Sequence, residues 1–155
     1  MEPLVTAAIS AQRSAFESLG CGVVDDEPDF RDAHEIFQVL RAWYFHANLG
    51  DLVEKQRDQF KNTVIWNVEA GAKLTGPDVS RAEKKRTQLY HRVRTFLERY
   101  EFLIAPVSQV APFSVDQPYI TEINGRKMET YIDWMSSCYD FSSTGRPAIS
   151  VACGV

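Results

Sequence analysis

The residues that could do chemistry in this chain are few and scattered. Three histidines, His34, His46 and His91, stand far apart. His34 and Glu35 begin what would be an H-E-x-x-H zinc motif, but Gln38 occupies the place of the second ligand. No His, Cys and Asp residues recur at metal-ligand spacing, so no metal site is expected. Partly exposed helix positions are the expectation for all three histidines. Ser136-Ser137 and Ser142-Ser143 are hydroxyl pairs. A serine becomes a nucleophile only beside a base, and no lysine or histidine is suggestively spaced from either pair, Lys127 being a distant one. Turn and cap chemistry is the other use for these hydroxyls. Neither a G-x-S-x-G elbow nor a Gly-rich phosphate cradle is present. On the residues alone, no catalytic residue and no cofactor is assigned.

One charged stretch has the form of a binding surface. From Arg81 to Arg99 the chain carries seven Lys or Arg residues against two acids. Such a stripe suits nucleic acid, or it is the solvated face of a helix whose other face is Leu89, Val93 and Phe96. The whole chain has a net charge of −4, which gives no pull towards nucleic acid or an anionic membrane and favours the second reading. Three cysteines, Cys21, Cys138 and Cys153, are an odd and widely spaced set without a C-x-x-C. They fit a reducing, cytoplasmic setting and are expected as small buried hydrophobes. No apolar run approaches the roughly 18 residues needed to span a bilayer, and Met1-Glu2-Pro3 has no signal-like character.

The elements that would position these groups can be read from periodicity. At 155 residues, 45% of them hydrophobic, the chain can bury a sizeable core as one unit, residues 1–155. Pro3 to Leu19 reads as a helix ended by Gly20. Cys21 to Val24 reads as a strand. A second helix runs from a cap at Asp29 to about Ala47, with a stripe of Phe30, Ala33, Phe37, Leu40, Tyr44 and Ala47 widened by Ile36 and Trp43. Gly50 is expected to break it. The stretch Asp51 to Ala70 reads as helical with a split near Lys61-Asn62. Thr75 and Asp78 form a capping box for a third long helix, with Pro77 in its first turn. Phe102 to Ala105 reads as a strand stopped by Pro106. Val107 to Gly125 reads as irregular, with Asn124-Gly125 as a turn. Glu129 to Tyr139 reads as a short helix and Ala148 to Cys153 as a last strand with nothing after it to cover it.

Three segments carry a family pattern. Tyr100-Glu101-Phe102-Leu103-Ile104-Ala105-Pro106-Val107-Ser108-Gln109-Val110-Ala111-Pro112 is an aromatic-acidic pair, an apolar run and a proline-punctuated loop. Met128-Glu129-Thr130-Tyr131-Ile132-Asp133-Trp134-Met135 is a helix-like stretch. Phe141-Ser142-Ser143-Thr144-Gly145-Arg146-Pro147-Ala148-Ile149-Ser150-Val151 follows the run N-x-T-G-x-P-A-x-S-V-P-x-G. Together they resemble the C-terminal part of an enzyme of the amidase signature family, and Ala7 to Asp29 is similar to the helix and strand that follow the family's catalytic core. Ser142, Ala152 and Gln109 depart from the pattern, where asparagine, proline and a second proline are usual.

The resemblance implies an α/β fold, a mixed sheet flanked by helices, of which this chain would be a helix-rich C-terminal part. It implies hydrolysis of carboxylic amide C–N bonds by a Ser–cis-Ser–Lys triad, without metal or cofactor and with backbone N–H groups holding the oxyanion. That triad sits in a Gly/Ser-rich region with no counterpart here, so no triad residue carries over. The small-molecule amide would be a substrate of the intact parent, and the isolated chain is expected to be inactive. Trp134 and Phe141 are the residues that could line the wall of a substrate funnel, with core packing as the alternative for both. A binding or regulatory module derived from the same fold is the competing reading. If the strand-like runs lack neighbours, their open edges favour self-association.

Overall fold

The computed structural model describes residues 1–153. The chain divides into two compact units, one made of residues 1–28 with the chain from Thr95 onward, the other of Asp29–Arg94. It is helix-rich, and its one sheet among the described residues is a two-stranded antiparallel ribbon.

In the first unit the expected opening helix is two helices, α1 (Pro3–Ser10) and α2 (Arg13–Ser18). The break falls at Gln12. Its side-chain amide donates to the Ala8 carbonyl at 3.4 Å, while its own backbone N–H tightens onto Ile9 O at 3.0 Å. Gly20 ends α2 as expected. With φ +87° it lets its N–H reach Glu17 O and the Cys21 N–H reach Phe16 O, the paired bonds of a Schellman ending. Residues 21–24 form no strand. They are held instead by Arg13, which donates to Val23 O at 2.5 Å and pairs with Asp25 at 3.0 Å. Tyr100 donates its hydroxyl to Asp26 at 2.7 Å, which holds the Asp26 carboxyl below the usual carboxylate range.

The run from 102 to 121 is irregular, including 102–105, where a strand was expected. Asn124-Gly125 closes the ribbon of β1 (Glu122–Ile123) and β2 (Arg126–Lys127), pairing Ile123 with Arg126. Both turn residues have positive φ, 49° and 78°, as a two-residue hairpin loop needs. The N-terminus is strapped to this region. Glu2 donates its N–H to Gln109 O at 2.8 Å, its carboxylate accepts the Ala111 N–H at 2.9 Å, and the Asn124 amide donates to Met1 O at 2.5 Å. Val110, Ile120 and Ile123 form the apolar cluster beneath, with Met128 and Trp134 against it.

The second unit is built on α3 (Ala33–Lys55), α4 (Asn62–Ala72) and α5, which spans Gly76–Phe96. A 3-10 turn, Arg57–Gln59, separates α3 from α4, so the split near 61–62 is present. The expected break at Gly50 is not: α3 passes through it. Nor does Asp29 cap α3. The N-cap is Asp32, in the left-handed region at φ +73°, and Asp29 instead accepts the Arg31 N–H. The buried stripe also shifts along the helix. Tyr44 and Trp43 are exposed, while Ala42 and Val53 are buried, and Phe45 and Leu49 pack half-buried on the cluster of Val53, Ile65 and Val68. At α5 the Thr75 backbone N–H and hydroxyl both donate to Asp78, at 2.9 and 2.5 Å. Ala82, Leu89 and Val93 mark its buried face.

Candidate functional site

The richest cluster of polar side chains aligned with the family-like run lies where α6 (Ser136–Ser142) turns into residues 143–147. A 3-10 turn, Asp133–Met135, leads into it. Asp133 fixes that turn by accepting the Thr130 N–H at 2.7 Å. Gln109 holds it from the opposite side of the loop, its amide donating to Asp133 O at 3.1 Å and to Trp134 O at 2.6 Å.

Trp134 therefore sits on a firmly held backbone. Its ring meets Phe113 edge-on at 5.5 Å and rests on the apolar cluster, and its indole N–H is buried with no hydrogen-bond partner among the described residues. Phe141 is half-buried in α6. Its carbonyl accepts both the Thr144 hydroxyl, at 2.7 Å, and the Thr144 N–H, at 3.0 Å. The structure thus places both residues in one unit.

The turn itself is buried in an unusual way. Ser143 and Thr144 are 6% and 2% exposed, although both are hydroxyl residues. Thr144 is satisfied on both sides, since its oxygen also accepts the Arg146 N–H at 3.2 Å. The Ser143 hydroxyl has no partner among the described residues. Gly145, at φ +69°, supplies the backbone reversal before Arg146.

Sequence reasoning did not single out Asp140. Burial pushes its carboxyl up to about 6. The neighbouring Tyr139 hydroxyl is pushed up to about 12, first by burial and then by the charges of Asp140 and Asp133, with Arg126 and Ser136 acting the other way. One signal was available: Asp140 is the sole acid between Trp134 and Cys153. A carboxyl that changes charge near neutral pH can carry a proton. Ser137 donates to Val107 O and Ser142 to Cys138 O, both at 3.0 Å, and no serine hydroxyl is hydrogen-bonded to a lysine or histidine among the described residues.

The remaining sequence candidates are accounted for elsewhere. His34, His46 and His91 are exposed helix residues, and no metal-holding group of His, Cys, Asp or Glu occurs among the described residues. Cys21 and Cys138 are exposed and Cys153 is half-buried, against the expectation of buried thiols. They border irregular backbone or a short helix, so no core forms around them. The basic stripe of α5 is largely paired with acids. Lys85 joins Asp32 and Glu35, Arg92 joins Asp29 and Asp32, Arg81 joins Asp78 and Arg86 joins Glu83. In the second unit an open cleft of about 490 Å³ lies along α3 and α4, rimmed by His46, Asp51, Glu54 and the Arg57–Glu69 pair. No helix is long and apolar enough to cross a membrane among the described residues.

A family model described as Amidase matches residues 1–155. The chain belongs to the amidase family. An acylamidase from Rhodococcus erythropolis is 27% identical to it over 157 aligned residues, covering 99% of this chain and 33% of that relative. This amidase chain therefore spans about a third of the length of the curated relative it matches. No solved structure matches it. Within the run at 141–151 the fold buries Ser143 and Thr144, while Gly145 and residues 147–151 stay exposed.

Proposed function

We propose that this chain supplies the supporting part of an amidase that hydrolyses carboxylic amide C–N bonds by Ser–Ser–Lys chemistry, and that the triad comes from polypeptide other than these residues. The observation that carries the proposal is the match of the whole chain, residues 1–155, to the amidase family. The acylamidase relative, of which the chain covers 33%, supports it. So does the state of the serines: the hydroxyls of Ser137 and Ser142 are spent on backbone carbonyls, and a nucleophile needs a neighbouring base. In this reading the helices flank a mixed sheet of the amidase fold, residues 1–155 act as one part of that fold, the setting is cytoplasmic, and Trp134 and Phe141 border the substrate funnel. No cofactor is invoked.

The test is an assay of the purified chain against a simple aryl amide. The expected outcome is no turnover above buffer. Turnover abolished by one serine substitution in this chain would overturn the proposal. A binding module derived from the same fold is the second reading. What favours it is the use of Ser137, Ser142 and Thr144 as structural hydroxyls. It gains if the chain regulates an intact amidase in the same assay without contributing residues to its site.

A further inference from the structure

Residue 109 is a place where this chain parts from the run it otherwise resembles: a proline is usual there, and the chain has Gln109. Proline carries no side-chain donor, so the bonds made by the Gln109 amide belong to this chain's own sequence. Half-buried, that amide donates to the carbonyls of Asp133 and Trp134, at 3.1 and 2.6 Å. The Trp134 indole has no such tie. Phe113 meets it edge-on, Val110, Ile120 and Ile123 lie against it, and its N–H makes no hydrogen bond among the described residues. The ring is therefore placed by the backbone that carries it and by the loop 109–113.

Gln109 is in turn held by Glu2. Its carbonyl accepts the Glu2 N–H at 2.8 Å, while the Glu2 carboxylate accepts the Ala111 N–H at 2.9 Å. Glu2 thus grips the loop on both sides of Val110, which is 4% exposed and part of the apolar cluster under Trp134. One residue, Gln109, takes a bond from Glu2 on its main chain and passes two to the Trp134 turn from its side chain.

We propose that Gln109 is a positioning residue that couples the placement of residues 1–2 to the placement of the Trp134 ring. Its functional meaning rests on the reading of Trp134 as a border of the substrate funnel. On that reading, Gln109 sets the face that an amide substrate meets.

The experiment uses the full chain carrying Trp43→Phe and Trp66→Phe, which leave Trp134 as the only tryptophan. Both replaced residues are exposed and lie in the other unit. Acrylamide quenching of the folded chain then reports on Trp134 alone. Glu2→Pro removes the N–H and the carboxylate together without straining the chain, because Glu2 already has φ −68°. Gln109→Met removes the amide donors and keeps the length. Each is expected to raise the quenching constant about twofold or more by loosening the turn, with the helical signal kept. Combined, they should raise it by less than the product of the two single effects, the mark of coupled residues. If Glu2→Pro lowers the helical signal, Glu2→Ala, which removes only the bond to Ala111, takes its place in the cycle. Quenching unchanged by either substitution would overturn the proposal, as would effects that multiply independently. A lowered urea midpoint with unchanged quenching would also overturn it, because it would make Gln109 a structural residue only. Serine-dependent turnover by the chain would count against the function proposed above and leave this coupling standing, since the quenching needs no turnover.

Discussion

Gly71 of α4 lies so close to Ala42 of α3 that a Cβ built on it would fall 2.0 Å from the Ala42 carbonyl oxygen. The same atom would meet the His46 Cβ at 2.6 Å. A backbone oxygen cannot swing aside as a side chain can, so the two helices touch at a point only glycine allows. Gly71→Ala is expected to destabilise the second unit by about 2–3 kcal/mol, the usual scale of overpacking, or to push α4 off α3. Urea unfolding followed by circular dichroism measures it, and an unchanged midpoint would mean the contact is looser than described.

Gly50 makes the opposite case on the same pair of helices. Its nearest neighbour would be the imidazole of His46, at 3.3 Å, which can rotate away. Gly50→Ala is expected to stabilise α3 by about 0.5–1 kcal/mol through helix propensity and unfolded-chain entropy. The same melts would show a shift of opposite sign.

Thr144 and Ser143 should respond differently to losing their hydroxyls. Thr144 makes two side-chain hydrogen bonds while 2% exposed, so Thr144→Val is expected to cost about 1–3 kcal/mol by removing the hydroxyl that bridges the Phe141 carbonyl and the Arg146 N–H. The Ser143 hydroxyl is buried without a partner among the described residues, so Ser143→Ala should be neutral or stabilising. A large loss at Ser143 would show that its hydroxyl has found a bond.

Asp140 predicts a pH dependence with a definite sign. Its folded carboxyl is raised to about 6 from 3.8, so the folded state holds the proton more tightly than the unfolded chain. Stability from this group is greatest below the unfolded value and is lost as pH rises through about 4 to 6. At neutral pH the buried charge costs up to about 3 kcal/mol, taking each pKa unit as about 1.4 kcal/mol. Asp140→Asn is expected to raise stability at pH 7 and to flatten the slope between pH 4 and 6. Paired denaturation series at pH 4, 5, 6 and 7 would show it, and parallel curves for the two proteins would refute it.

Arg92 gathers the entry to α3. It donates to the carbonyls of Asp29 and Arg31 and lies 3.6 Å from the carboxylates of Asp29 and Asp32. Arg92→Met keeps the stem and removes these bonds, with an expected loss of about 1–3 kcal/mol. The surface pair Arg57–Glu69, both partners more than half exposed, gives the contrast. Arg57→Met should change stability by well under about 1 kcal/mol, and less still at high salt.

What the residues revealed in advance followed from how local each signal is. The Thr75–Asp78 cap, the Gly20 ending and the Asn124-Gly125 hairpin depend on neighbours within a few positions, and all three stand in the structure. Gly50 was misread because its propensity cost of about 1 kcal/mol is small against the packing of α3 on α4. The strand-like runs at 21–24, 102–105 and 148–153 have the right pattern, but pattern does not supply a partner, and a strand exists only through its neighbours. At the site, Ser143, Thr144 and Gly145 were legible as a turn. Asp140 was not, because its distinguishing property is burial, which no spacing encodes. Trp134 and Phe141 were visible as large aromatic side chains, while the Gln109 amide that holds the Trp134 backbone joins residues 25 positions apart.

The strap on residues 1 and 2 bears on the order in which the two units can form. Met1 and Glu2 are held by Asn124, Gln109 and Ala111, more than a hundred positions downstream. Asp29–Arg94 is continuous in sequence, so it can fold as soon as it leaves the ribosome. The opening helices must wait for the last third of the chain before their anchor exists. The unit Asp29–Arg94 can therefore be complete while residues 1–28 still lack their partners at 109, 111 and 124, and that interval is when a protease or a chaperone would find residues 1–28 unprotected.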